Sequence, residues 1–186
     1  MGLFSRDSSR DPALHATFAQ YAHARGLALS GTYPSFSLKG ESEGRAFGVH
    51  QWLDGRRYTD DDGHTRTRSV WTCKAVVQDP AWLGDLFLDE QHTLNRIVQF
   101  FGAQDIKVGW AEFDEQFTVK CSDEGFARRM LTPAACQALL EVWRAKSPVQ
   151  ILNGSIELNH PGMLEDPAVA DTMIRALLHV THALGR

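Results

Sequence analysis

Val149-Gln150-Ile151-Leu152-Asn153-Gly154-Ser155-Ile156-Glu157-Leu158 is the stretch that decides the fold. Asn-Gly between alternating apolar residues is the strongest short-range signal for a two-residue hairpin, because both central positions of a type I′ turn need positive φ. The reading carries its own check. With a two-residue loop, Leu152 faces Ser155, Ile151 faces Ile156, Gln150 faces Glu157 and Val149 faces Leu158. Val149, Ile151, Ile156 and Leu158 then share one face, as cross-strand packing requires. A hairpin with one buried face follows, and such a hairpin needs further strands and a covering layer.

Upstream, the same alternation appears over 45–53 and 65–77, two strands flanking a polar connection. In the second, Trp71, Cys73, Ala75 and Val77 share one face while Arg66, Arg68 and Lys74 take the other. The connection holds Arg56, Arg57, Asp60, Asp61, Asp62, Gly63 and His64, a turn-rich and solvated composition. A shorter strand around 35–39 precedes this hairpin. Over 116–121, Phe117, Val119 and Cys121 point one way and Gln116, Thr118 and Lys120 the other, which predicts another strand.

Helical spacing fills the intervals. Asp11 caps and Pro12 opens a first helix that ends before Gly26, with Leu14, Phe18 and Tyr21 on its apolar stripe. Leu94, Ile97, Val98 and Phe101 predict a helix over 89–101. A short helix over 124–130 and a longer one over 132–146 follow, the latter capped at Thr132-Pro133 and striped by Cys136, Leu139, Leu140 and Trp143. Asp166-Pro167 opens the last helix, whose stripe runs Val169, Met173, Leu177, Val180 and Leu184. Hairpins, rather than regular strand–helix alternation, predict an α+β fold: one domain over 11–186 with a mainly antiparallel sheet and helices packed against it, after a flexible lead-in over 1–10.

Composition agrees. The chain has 186 residues, 43% of them hydrophobic, which suffices for a core without disulfides or metals. A formal charge of −4 argues against a nucleic-acid-binding domain, and no apolar run reaches the ~20 residues that span a bilayer. Cys73, Cys121 and Cys136 are odd in number and widely spaced, which suits buried thiols in a reducing cytoplasm and neither a zinc framework nor a disulfide scaffold. The start, Met1-Gly2-Leu3-Phe4-Ser5-Arg6, lacks the apolar core of a signal peptide. A cytoplasmic protein is expected.

Each candidate for chemistry has a plainer reading beside it. His179 and His182 stand about one turn apart on the last helix, but no third ligand accompanies them, and a solvated face explains them. Asp60-Asp61-Asp62-Gly63 lacks the alternate spacing and distal Glu of a calcium loop. His50 and Cys73 lie on adjacent strands, a pairing that suits nucleophilic catalysis, yet Cys73 sits on the apolar face where thiols are packing groups. Glu112, Asp114 and Glu115 form a carboxylate cluster at a strand entry, where charge marks a turn. Phosphate-loop, dinucleotide, nucleophile-elbow and zinc-protease motifs are absent. No cofactor or metal is expected. Trp82 and Trp110, in loop-like contexts, and Arg56 and Arg57, in the hairpin connection, are the candidate surface for a partner or ligand.

Phe113-Asp114, Phe117, Val119, Ser122-Asp123, Ala127-Arg128 and Leu131-Thr132-Pro133 resemble a stretch found in a family of uncharacterised bacterial proteins. Tyr21-Ala22-His23-Ala24-Arg25-Gly26 and Gly44-Arg45-Ala46-Phe47 are similar to that family's N-terminal part. The resemblance is clearest over 112–133 and implies strand–helix packing, with Phe117 and Val119 inward and Phe126 and Leu131 anchoring the helices that follow. It implies no activity and no catalytic residues. The function expected from the sequence is a non-catalytic domain binding a partner protein, a small ligand or a second copy of itself. The alternative is a small hydrolase with its site near His50, Cys73 or Glu112 and Asp114.

Overall fold

A computed structural model of the chain describes residues 11–60, 62–90 and 105–185. The 153–154 turn forms as its sequence dictates: φ is 51° at Asn153 and 70° at Gly154, the two positive values of a type I′ turn. The strands it joins, β7 (Val149–Leu152) and β8 (Ser155–Pro161), pair Val149 with Leu158, Gln150 with Glu157, Ile151 with Ile156 and Leu152 with Ser155. This is the register that the sequence predicts.

Six further strands join them among the described residues: β1 (Ala28–Thr32), β2 (Ser35–Ser42), β3 (Arg45–Thr59), β4 (Thr65–Gln78), β5 (Phe87–Glu90) and β6 (Phe117–Lys120). All pair antiparallel, in the order β1-β2-β3-β4-β8-β7-β5-β6. The 149–158 hairpin therefore sits inside the sheet, bridging β4 to β5. One continuous row of side chains crosses six strands: Phe47, Val77, Ile156, Ile151, Leu88 and Val119, none more than 8% exposed. A second row, Leu38, Val49, Ala75, Leu158 and Val149, runs beside it, also buried.

Helices cover this face. α1 (Pro12–Ala24) is capped by the Asp11 carboxylate, which accepts from the Ala13 and Leu14 amides, and buries Phe18 against Phe36. α5 (Pro133–Arg144), capped by Thr132, buries Cys136, Leu139 and Leu140, while Trp143 is half-buried. α6 (Pro167–Leu184), capped by Asp166, packs against β3, β4 and β8 and buries Met173, Leu177, Val180 and Leu184. Asp171 on α6 holds α1, taking a hydrogen bond from the Tyr21 hydroxyl and an ion pair from Arg25. Short helices α2 (Pro80–Leu83), α3 (Ala111–Gln116) and α4 (Glu124–Met130) complete the layer. The fold is α+β, as its hairpins predict. No helix among the described residues is long and apolar enough to cross a membrane.

Several boundaries differ from the sequence reading. The strand expected over 45–53 runs on to Thr59, so Arg56 and Arg57 are strand residues rather than turn residues. Asp89 and Glu90 end β5 instead of opening a helix; the rest of the 89–101 segment, the 1–10 lead-in and Asp61 lie outside the described residues. The carboxylates at 112–115 belong to α3, whose Phe113 is fully buried, rather than to a strand entry. β1 is a strand that the sequence reading leaves out.

Ile156 lies at the crossing of the long row and the central hairpin. Ile156→Ala is expected to cost about 2–5 kcal/mol, the range for emptying a fully packed aliphatic site. Urea unfolding would measure it, and a loss below about 0.5 kcal/mol, the level of a surface substitution, would mean that the row does not carry the core.

Candidate functional site

β3 and β4 are much longer than the strands beside them, and this makes the most conspicuous surface feature. β2 pairs with β3 only as far as Gln51, and β8 pairs with β4 only as far as Thr72, opposite Pro161. Beyond these limits β3 and β4 pair with each other alone among the described residues, from Leu53 opposite Trp71 to Thr59 opposite Thr65. The result is a two-stranded arm reaching about 20 Å past the sheet, at ~3.3 Å per residue. Leu53 is 51% and Tyr58 47% exposed on it, so the arm is not folded back onto the body.

Its charges are segregated. The shank carries Arg56, Arg57, Arg66 and Arg68 against Asp54, and the tip carries Asp60 and Asp62. Arg56 stands opposite Arg68 in the ladder, and Tyr58 opposite Arg66. At the tip, Asp60 accepts a hydrogen bond from the His64 amide at 2.8 Å and pairs with the Arg66 guanidinium at 2.6 Å. Asp60, Asp62 and His64 bring three ligand atoms within 4.8 Å of one another, but the Asp60 oxygens are already engaged by the turn itself.

At the base of the arm, on the sheet face away from α6, lies an open groove of about 490 Å³. Val70, Thr72, Gln150, Asn159 and Pro161 line it. The Thr72 hydroxyl is buried there without a hydrogen-bond partner among the described residues. Beside it the Glu157 carboxylate is held by Lys74 at 2.6 Å and by the Gln150 amide at 2.7 Å. A second hollow, of about 510 Å³, adjoins it at Pro148 and Lys146.

The residues singled out from sequence are placed as follows. His50 pairs with Lys74 and Cys73 with Gln51, so His50 and Cys73 lie on opposite faces of the sheet. His50 shares a 2.8 Å hydrogen bond with Ser37, and burial together with the Lys39 charge lowers its pKa from the usual 6.5. The Cys73 thiol is wholly buried, pushed up to about 12 by that burial, and directed at the Met173 sulfur. Glu112 pairs with Arg144, and Asp114 accepts from the Val108 and Gly109 amides, both at 2.9 Å. These four groups do not converge. His179 meets Glu141 and His182 meets Glu43, so the two imidazoles turn to different carboxylates. Trp82 and Trp110 are partly buried against the core, and the Arg45 guanidinium lies 4.1 Å from the centre of the Trp82 ring. Arg56 and Arg57 fall on the arm. Sequence reasoning did not find Thr72 or the arm's free edge; the only available signal was Pro161, whose place opposite Thr72 depends on a long-range pairing.

No family model, curated protein or solved structure matches the chain.

Two histidines are expected to make stability acid-sensitive. His50 and His160 both have pKa values lowered below 6.5, chiefly by burial. Below 6.5 the unfolded chain takes up these protons more readily than the folded one, so stability must fall as pH drops from 7 toward 5. Urea midpoints at the two pH values should differ less in a His50→Gln/His160→Gln variant than in the parent. Equal differences would show that these histidines do not set the slope.

Proposed function

We propose that this protein is a binding domain whose recognition element is the β3–β4 arm. The observation that carries this reading is the arm itself: an exposed two-stranded ribbon that puts no side chain past Trp71 into the core, yet keeps regular pairing to Thr59 and Thr65. Open strand edges are usually shortened or covered, because they invite unwanted pairing. A fold that extends one instead is built to present it. The separation of His50 from Cys73, and the structural work done by Glu112 and Asp114, favour binding over the hydrolase reading.

The test is to shorten the arm. Replacing residues 55–69 with Asn-Gly joins Asp54 to Val70, a hydrogen-bonded pair like Leu152 and Ser155, through the same type of turn that closes the 149–158 hairpin. The shortened protein should melt within a few degrees of the parent, since no buried core residue is removed. Proximity labelling in the native cell, followed by direct binding of the purified partner, should show a partner held by the parent and lost by the shortened form. An identical partner set for both proteins would overturn the proposal.

A further inference from the structure

Among the described residues both edges of the arm are open, and the one on β4 has a neighbourhood that specifies what would pair with it. This inference rests on the arm as recognition element and goes further, to the chemistry of its partner. Along β4, Arg66, Arg68, Val70 and Thr72 share one face, and β8 stops where Pro161 meets Thr72. A strand continuing the line of β8 therefore finds positions opposite Val70, Arg68 and Arg66, at every second residue. Residues 65–69 are exposed, so the edge is accessible. No carboxylate pairs with Arg68 among the described residues.

From this we infer that the β4 edge of the arm binds an extended acidic peptide segment by strand addition, with carboxylates opposite Arg68 and Arg66 and a small apolar side chain opposite Val70. Backbone hydrogen bonds to the open edge supply affinity, and the alternate side chains supply selectivity. The apolar residue lies over the groove formed by Val70, Thr72 and Pro161, beside the buried Thr72 hydroxyl. Charge decides the occupant. A second copy paired symmetrically about Arg66, Thr67 or Arg68 would set arginine across from arginine, an unfavourable combination. A carboxylate in that place pairs with the arginine instead. Arg66 is shared with Asp60 at the tip, so Arg68 is the stronger anchor.

Fluorescence anisotropy with a labelled synthetic peptide, Val-Thr-Glu-Thr-Glu-Thr-Val, tests the inference; its palindromic order suits either strand direction. The full chain should bind it saturably. Methylating the peptide nitrogens that face β4 should weaken binding about ten-fold or more, because the ladder is lost while the charge is kept. Replacing Glu with Lys in the peptide should abolish binding, and Arg68→Glu in the protein should restore the Lys peptide while losing the Glu one. Arg68→Gln, which cannot reverse charge, should weaken the Glu peptide alone and guards against a folding defect in the reversal. Equal binding of the methylated peptide would overturn strand addition. No binding, or equal binding of the Lys peptide, would overturn the acidic assignment. Preference for a single-stranded oligonucleotide over the Glu peptide would assign the arginines to phosphates instead. The arm-shortening experiment fails or succeeds independently, since it asks only whether the arm is needed for a native partner.

Discussion

A single row of side chains, Phe47–Val77–Ile156–Ile151–Leu88–Val119, ties six strands into one sheet, and the rest of the molecule depends on its register. Side chains alternate along a strand, so a slip of one residue in β4 would carry Lys74 and Val76 to the helix side and expel Ala75 and Val77. Charged Lys74 would then sit under α6, where desolvating an unpaired ammonium is prohibitive. The row is thus a constraint as well as a source of burial. It tells each strand which face is inside, and the helices α1, α5 and α6 only have to cover the face it defines.

The same register produces the surface. Because Val77 must meet Ile156 and Thr72 must meet Pro161, the seven residues of β4 from Thr65 to Trp71 have no place beside β8. Because Phe36 must meet Gln51, the residues of β3 from Trp52 onward have none beside β2. What is left over is the arm. Its composition changes where the covering layer ends: Trp71 and Leu53 mark the boundary, and arginines and threonines follow. The polar face of the sheet, where Lys74 and Gln150 both donate to Glu157, leads directly into the base of this arm. The sheet and the arm therefore share two strands.

How much of this can be read from the chain depends on the range of the interactions. The 149–158 hairpin is readable to the residue because its turn type, loop length and facial pattern are local and agree. The helix caps Asp11, Thr132 and Asp166 are local too, and all three form. Phe87–Glu90 is a strand only because β6 and β7 flank it; by itself the run is too short to outweigh the helical spacing of the residues after it. α3 is six residues long with one buried side chain, too brief to show a period. The opposite facing of His50 and Cys73 follows from a register of Gln51 with Cys73, which the sequence leaves open because β3 runs through residues that look like a turn. The arm was hidden for the same reason: its arginines read as solvated loop, and only the pairing shows them to be strand.

The most direct test of the account is amide hydrogen exchange along β4. Residues 72–77 are paired on both sides, whereas among the described residues 65–71 are paired with β3 alone. The structure requires strong protection at every amide of the first group except where exchange is limited by fraying. In the second it requires alternation: amides directed at β3 protected, amides directed at the open edge exchanging at rates near those of solvent-exposed backbone. Uniform protection across 65–78 would contradict the account, for it would mean that the edge is covered and the arm is not free to receive a strand.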